Sequence, residues 1–313
     1  MLNPVNIRST TKNNMQNEKK KVILVGGSGL VGSRIQELLA ETFEVETLGI
    51  SNGFDITKPA TLSPLLRLSS GATVIHLAAK ADVDGCEKDK SLGEEGDAWQ
   101  INVKGAENVA DICIRAGHRM IYVSTDFVFD GESTPSGGYS EEDTPNPLNW
   151  YGVTKYEGEL RVLASTSTHV VLRIAYPYRA FFDEKTDFVR AILSRLQKNE
   201  PVSAVTDHIM TPTFIDDIAG CLSVLIEQNA EGIHHCVGSS SLTPAQAVKS
   251  IAQAFSIKSV SLKEVTRAEF FKERAPRPYN LTLKNDKIRH LGVVMKTFED
   301  GLQQVKEQLG TKG

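Results

Sequence analysis

The run KVILVGGSGLVG, residues 21–32, constrains the fold more than any other part of the chain. An apolar stretch is stopped by glycines, and LVGSRIQELLAETF behind it carries helical spacing. A buried parallel strand that turns through glycine into a helix is the opening unit of a nucleotide-binding α/β fold. Gly26, Gly29 and Gly32 let the backbone come close to a pyrophosphate at the helix N-terminus, with Ser28, Leu30 and Val31 completing the cradle.

The same alternation continues. VETLGI (45–50), ATVIHLAA (72–79), MIYVST (120–125) and HVVLRI (169–174) read as strands, separated by helical stretches such as AWQINVKGAENVADICIRAG. The expected class is α/β, a Rossmann-type doubly wound parallel sheet with a smaller C-terminal substrate lobe. Past residue 175 the pattern loosens into the helical TDFVRAILSRLQKN and FIDDIAGCLSVLIEQ, the short strand GIHHCVG, and two more helices, TPAQAVKSIAQAF and TFEDGLQQVKEQLG. Thr243 and Pro244 mark a helix cap and first position, and Asp216-Asp217 charges the start of its helix. The expected division is a dinucleotide-binding domain over 20–175 and a substrate-binding lobe over 176–313, intertwined with the sheet. Residues 1–19 are polar and Asn-rich and are expected to form a disordered tail.

A net charge of -4 without a long basic run speaks against a nucleic-acid or anionic-membrane partner, and no apolar run is long enough to span a bilayer. Cys86, Cys113, Cys221 and Cys236 are scattered without ligand spacing. They predict free, mostly buried thiols, a reducing compartment and so a cytoplasmic location. His76 reads as a core or near-cofactor histidine, His234 and His235 fall on adjacent sides of a strand, and no metal site is expected.

NAD sites usually carry an acidic residue at the end of the second strand, on the ribose 2′-hydroxyl. Here that strand ends LGISNG, with no acid, while Arg34 lies two residues beyond Gly32 and can face a 2′-phosphate. NADP(H) is therefore expected over NAD(H). Asp55 and Ile56 reach the adenine from the loop that follows.

YGVTK, residues 151–155, puts a tyrosine one helical turn before a lysine. A phenol of pKa about 10 is a poor proton relay at neutral pH, and an ammonium on the same helix face lowers that value. A third hydroxyl is needed to hold a carbonyl oxygen. YVSTDF offers Ser124 and Thr125 at the C-terminal end of a strand, where open α/β sheets place their sites.

Taken together, GGSGLVG, VIHLAAKADVDGCE, Asn102-Val103, YVSTDFVFDG, YSEEDTPNP leading into YGVTKYEGE, DHIMTPTFIDDIA and Arg277-Pro278 resemble the extended short-chain dehydrogenase/reductases. Within them the chain is most similar to the sugar-nucleotide reductases of the dTDP-4-dehydrorhamnose type, and STDFVFDG is the most specific segment. The resemblance implies NAD(P)H-dependent reduction of the C4 ketone of a nucleotide-linked deoxy-sugar. It carries over Thr125, Tyr151 and Lys155 as the catalytic trio, with Lys155 also on the nicotinamide ribose. It places Ala78, Ala79, Asn102 and Ser124 on the cofactor side, and Asp84 and Tyr176 toward the substrate, with Glu87 beside Asp84 at the mouth. Phe127 stands where the dehydratases of the superfamily carry an acid, so elimination is not expected. Tyr176 and Arg179 depart from the pattern of rhamnose-forming enzymes, which usually have tryptophan and glycine there. A nucleotide-sugar epimerase is an alternative with the same trio. A non-catalytic dinucleotide-binding subunit, like the one that partners methionine adenosyltransferase, is another. A homodimer is also expected.

Overall fold

Val22, Ile23, Leu24 and Val25 are completely buried, as a strand covered on both faces requires. The computed structural model describes residues 19–166 and 168–311, so the expected tail falls almost wholly outside the described residues. In chain order the strands are β1 (Lys21–Val25), β2 (Glu44–Leu48), β3 (Thr73–His76), β4 (Arg119–Thr125), β5 (Val170–Ile174), β6 (Pro177–Tyr178), β7 (Val202–Val205), β8 (Thr213–Phe214), β9 (Gly232–His235) and β10 (Leu262–Val265). The helices are α1 (Leu30–Leu39), α2 (Ser63–Arg67), α3 (Val83–Asp89), α4 (Asp97–Trp99), α5 (Gly105–Ala116), α6 (Trp150–Ser165), α7 (Phe188–Gln197), α8 (Ile215–Glu227), α9 (Pro244–Ala254), α10 (Arg267–Phe270), α11 (Asp286–His290) and α12 (Phe298–Gly310).

The central sheet has six strands in the order β2-β1-β3-β4-β5-β9, and all five pairings are parallel. One face packs on α1, α8 and Ile288 of α11, through residues such as Ile35, Leu39, Ile218 and Leu222. The other packs on α2, α5 and α6, through Leu65, Val109, Cys113 and Val162. This two-sided cover explains why the strands read as continuous apolar runs rather than alternating ones.

The GIHHC stretch becomes β9, which leaves the later part of the chain to pair with β5 as the last strand of the main sheet. The remaining strands make two small parallel pairs, β7 with β10 and β6 with β8. They surround a second core in which α7, α9 and α12 meet, and there the ring centroids of Tyr178 and Phe298 lie 5.4 Å apart. Thr243 caps α9 as its sequence suggested. Its hydroxyl accepts from the Gln246 N–H at 3.2 Å, and the Gln246 side chain accepts from the Thr243 N–H at 2.7 Å. Asp216 and Asp217 occupy the first turn of α8. The four cysteines are buried and unpaired. Among the described residues no helix is long and apolar enough to cross a membrane.

Candidate active site

The glycine turn sits between β1 and α1, at the C-terminal edge of the sheet. Gly26 has φ +84°, and a Cβ there would lie 2.6 Å from the Ala78 nitrogen, so glycine is required to pass the loop after β3. Gly29 is different. A Cβ on it would meet only the Gly26 carbonyl, 3.8 Å away, so the protein's own packing does not demand a glycine there. Gly29 is the N-cap of α1 and offers no side chain to the first N–H groups of the helix. An open approach to uncapped N–H donors suits the pyrophosphate of a dinucleotide. The Ser124 hydroxyl, at the end of β4, is buried without a partner, a second polar group left for a ligand. The residues present therefore fit a dinucleotide.

Arg34, expected to face a 2′-phosphate, is already engaged by carboxylates of the protein. Its guanidinium forks onto Asp216 at 2.8 and 2.7 Å and reaches Glu37 at 2.7 Å, tying α1 to the start of α8. These partners hold its pKa above the usual arginine value, the Asp216 hydrogen bonds first among them. Asp55 turns its carboxylate back on its own loop, accepting from the Thr57 N–H and hydroxyl and pairing with Lys58 at 2.8 Å. Ile56 is buried in the core that also holds Leu48, Phe54 and Ala106. Adenine contacts from these two residues would have to use their backbone or the outer edge of the loop.

Asn102 lies in a π-helical turn, Gln100–Lys104, and is fully buried. Such turns often mark functional positions. Its side chain accepts from the Lys80 N–H at 2.9 Å, donates to the Lys80 carbonyl at 3.1 Å and donates to the Thr154 hydroxyl at 3.0 Å. It therefore locks the Ala78-Ala79 loop to the helix that carries Lys155.

Asn149 starts that helix by accepting the Gly152 N–H at 2.9 Å. Glu87, read from the sequence as a mouth residue, instead accepts the Trp150 N–H at 2.7 Å. Both fix α6 at its first turn, where Tyr151 stands. Burial pushes the Tyr151 phenol up, and a hydrogen bond with the Thr125 hydroxyl pulls it the other way. Lys155 is 2% exposed; its ammonium donates to the Val123 carbonyl at 2.8 Å and sits 3.9 Å over the Tyr122 ring. Burial lowers its pKa to about 7, with Glu159 opposing. The sequence reading has the lysine depress the tyrosine directly. In the structure burial holds the phenol above its ordinary value, with Thr125 opposing, and the Lys155 ammonium donates to the strand beneath.

Asp126 was not singled out from the sequence, although it lies inside STDFVFDG. It is 1% exposed, one carboxylate oxygen accepts from Thr125 at 3.0 Å, and the other has no partner. Burial pushes its pKa up to about 7. A carboxyl half-protonated at neutral pH beside the trio can donate to an incoming hydroxyl.

Toward the mouth, Asp84 is engaged by Arg277 at 2.9 Å and by the Ala275 N–H at 3.1 Å. Tyr176 packs beside Phe127, with centroids 6.4 Å apart, and has φ +41°. That backbone state costs a non-glycine residue about 1–3 kcal/mol and persists only where its surroundings hold it. Arg179, the second departure, lies away from the mouth and donates to Ser33 at 2.8 Å and the Leu30 carbonyl at 3.2 Å.

The family model of the RmlD substrate binding domain matches residues 20–310. The chain belongs to the RmlD family. Among family relatives, methionine adenosyltransferase 2 subunit beta of Xenopus tropicalis is 29% identical over 300 residues, covering 91% of this chain and 86% of that protein. The dTDP-4-dehydrorhamnose reductase of Sinorhizobium fredii is 26% identical over 296 residues, covering 91% and 96%. The crystal structure of dTDP-4-dehydrorhamnose reductase from Bacillus anthracis in complex with NADP superimposes with a TM-score of 0.83 at 29% identity, covering 93% of this chain and 99% of that one. As a member of the RmlD family the chain falls among the extended short-chain dehydrogenase/reductases.

Proposed function

We propose that the chain is a reductase of the C4 ketone of a nucleotide-linked deoxy-sugar, using NADPH in preference to NADH. The observation that carries this reading is buried Thr125 at the C-terminal end of β4, with Tyr151 and buried Lys155 one turn apart on α6 and the Lys155 ammonium on the Val123 carbonyl of that same strand. The reduced nicotinamide supplies the hydride. Thr125 orients the carbonyl oxygen and Tyr151 gives it a proton. Lys155 would hold the nicotinamide ribose and return a proton toward Tyr151, a task suited to an amine with a pKa of about 7. Asp126 donates to a sugar hydroxyl, and Phe127, 7% exposed, keeps water from the reacting face. No acid stands at Phe127 to eliminate water, which favours reduction over 4,6-dehydration.

With Arg34 engaged by Asp216, the preference for NADPH rests on the absence of a carboxylate in Gly49–Asn52 and on the bound NADP of the Bacillus anthracis relative. We read residues 20–175 as the cofactor half and 176–313 mainly as the substrate half. Four buried thiols support a reducing, cytoplasmic setting. Exposed Ile114 and Leu160 on adjacent helices α5 and α6 support a homodimer.

A second reading, a regulatory subunit, is favoured by the similarity to methionine adenosyltransferase 2 subunit beta. NADPH consumption over a panel of 4-keto-6-deoxy nucleotide sugars separates the two. Turnover of any panel member supports the reductase, and bound cofactor with no turnover supports the subunit.

A further inference from the structure

The Arg277-Pro278 pair matches the family pattern, but the trio gives it no task. The structure shows what surrounds it. Five consecutive carbonyls, Ala275 to Tyr279, each accept a hydrogen bond. Their donors are Arg277 itself at 2.7 Å, the Asn149 amide at 2.9 Å, Arg267 at 2.6 Å, His208 Nδ1 at 2.6 Å and the Ile209 N–H at 2.8 Å. Asp84 grips the same segment from α3 through Arg277 and the Ala275 N–H. Gly131, at φ +72°, ends the STDFVFDG motif against it, and a Cβ there would lie 2.7 Å from the Asn280 nitrogen. Residues 275–280 are thus a strap held from several parts of the molecule.

Two of those grips lead to the site. Asn149 is the cap of the helix bearing Tyr151. His208 is 2% exposed and bridges the Pro278 carbonyl and the Tyr176 hydroxyl, the latter at 2.7 Å from Nε2. A carbonyl can only accept, so Nδ1 carries the proton and Nε2 accepts from Tyr176. Burial lowers the His208 pKa, which keeps the ring in this neutral form. Tyr176 needs such a hold because its backbone is in the left-handed region. Its ring is set by edge contact with Phe188 at 6.0 Å and by His208 at 5.8 Å.

We propose that His208 is a positioning residue for the reaction, fixing Tyr176 against the sugar and tying it to the strap Ala275–Asn280, so that the sugar pocket and the catalytic helix share one support. This rests on the reading above that Tyr176 faces the substrate.

The test compares the full chain with His208→Phe, His208→Asn, His208→Gln, Tyr176→Phe and the double variant His208→Phe/Tyr176→Phe. It measures KM and kcat with NADPH and a dTDP-4-keto-6-deoxy-sugar, together with calorimetric affinity for dTDP-rhamnose and for NADPH. His208→Phe and Tyr176→Phe should each raise KM and weaken sugar binding by about tenfold, through loss of the Tyr176–His208 hydrogen bond that both remove. NADPH affinity and kcat should hold within about threefold, and the double variant should match His208→Phe because the Tyr176 bond is already gone there. His208→Gln, with an acceptor at the Nε2 position, should restore the wild-type KM. His208→Asn, which reaches only the strap side, should not, and it serves if the phenylalanine variant fails to fold. Unchanged KM in His208→Phe or His208→Asn, or additive losses in the double variant, overturns the proposal. Sugar binding without turnover by the wild type refutes the reductase reading alone, and the positioning role is then decided by the same comparison of affinities. Absence of sugar binding refutes both.

Discussion

The Glu87 carboxylate accepts the backbone N–H of Trp150 at 2.7 Å, one residue before Tyr151. A side chain from α3 thus holds the first turn of the catalytic helix, where an anion also meets the positive end of the helix dipole. Replacing Glu87 by alanine leaves that N–H without its partner. The expected loss is about 1–3 kcal/mol, a fall in Tm of several degrees, measured by thermal melting. Turnover should fall with it, and Glu87→Gln should recover most of both. A Glu87→Ala variant with wild-type melting and turnover would detach this contact from the site.

Tyr151→Phe removes one oxygen and keeps the ring edge-on to Phe127, 5.8 Å between centroids. Turnover should drop by ~10²–10⁴, with dinucleotide affinity retained. Lys155→Met should lower turnover and weaken dinucleotide binding. Steady-state rates and fluorescence titration of the cofactor check both variants, and equal turnover in Tyr151→Phe and wild type would remove the tyrosine from the mechanism.

Stability should pass through a trough near neutral pH from two buried groups. Asp126 is raised from 3.8 to about 7 by burial, so the folded state holds a proton that the unfolded state releases, and its contribution is lost as pH rises from about 4 to 7. Lys155 is lowered from 10.5 to about 7, so the unfolded state holds the extra proton above that point, and stability recovers as pH rises from about 7 toward 10. Urea unfolding across this range should show Asp126→Asn flattening the acid-side fall and Lys155→Met flattening the alkaline-side recovery. Parallel curves for wild type and both variants would place neither titration in the folded site.

Arg34→Met should cost stability without changing cofactor choice. The forked pair with Asp216 is partly buried, which suggests a loss of about 1–2 kcal/mol by urea unfolding. The ratio of NADPH to NADH affinity should stay the same. A selective loss of NADPH binding would return Arg34 to the 2′-phosphate.

Local signals in the chain carried most of the architecture and pointed to the candidate trio. The glycine turn, the strand-end Ser124-Thr125 and the Tyr151–Lys155 spacing each depend on neighbours within a few residues, so pattern alone exposes them. What escaped reading were contacts closed by the fold. Arg34 looked free because Asp216 is 182 positions away, and Glu87 looked like a mouth residue because Trp150 is 63 positions on. Asn149 meets Pro276 across 127 positions. Lys155 was expected to act on the phenol one turn before it, and the bond its ammonium makes, to the Val123 carbonyl on β4, is another contact that spacing along α6 does not report. Asp126 stood inside a quoted motif, and its importance comes from complete burial beside Thr125, which periodicity does not report.

The pairing of β9 with β5 also bears on how the chain is made. A ribosome delivers β1 to β5 first, and at that moment the hydrogen-bonding edge of β5 is bare. Arg173 and His235, adjacent across the join, meet only after residues 232–235 have emerged. Until then the nascent half exposes an open strand edge that invites wrong partners. A gene fragment ending near residue 175 should therefore yield an aggregating polypeptide rather than a freestanding cofactor module, and shuffling the two halves between relatives needs β9 to travel with the first.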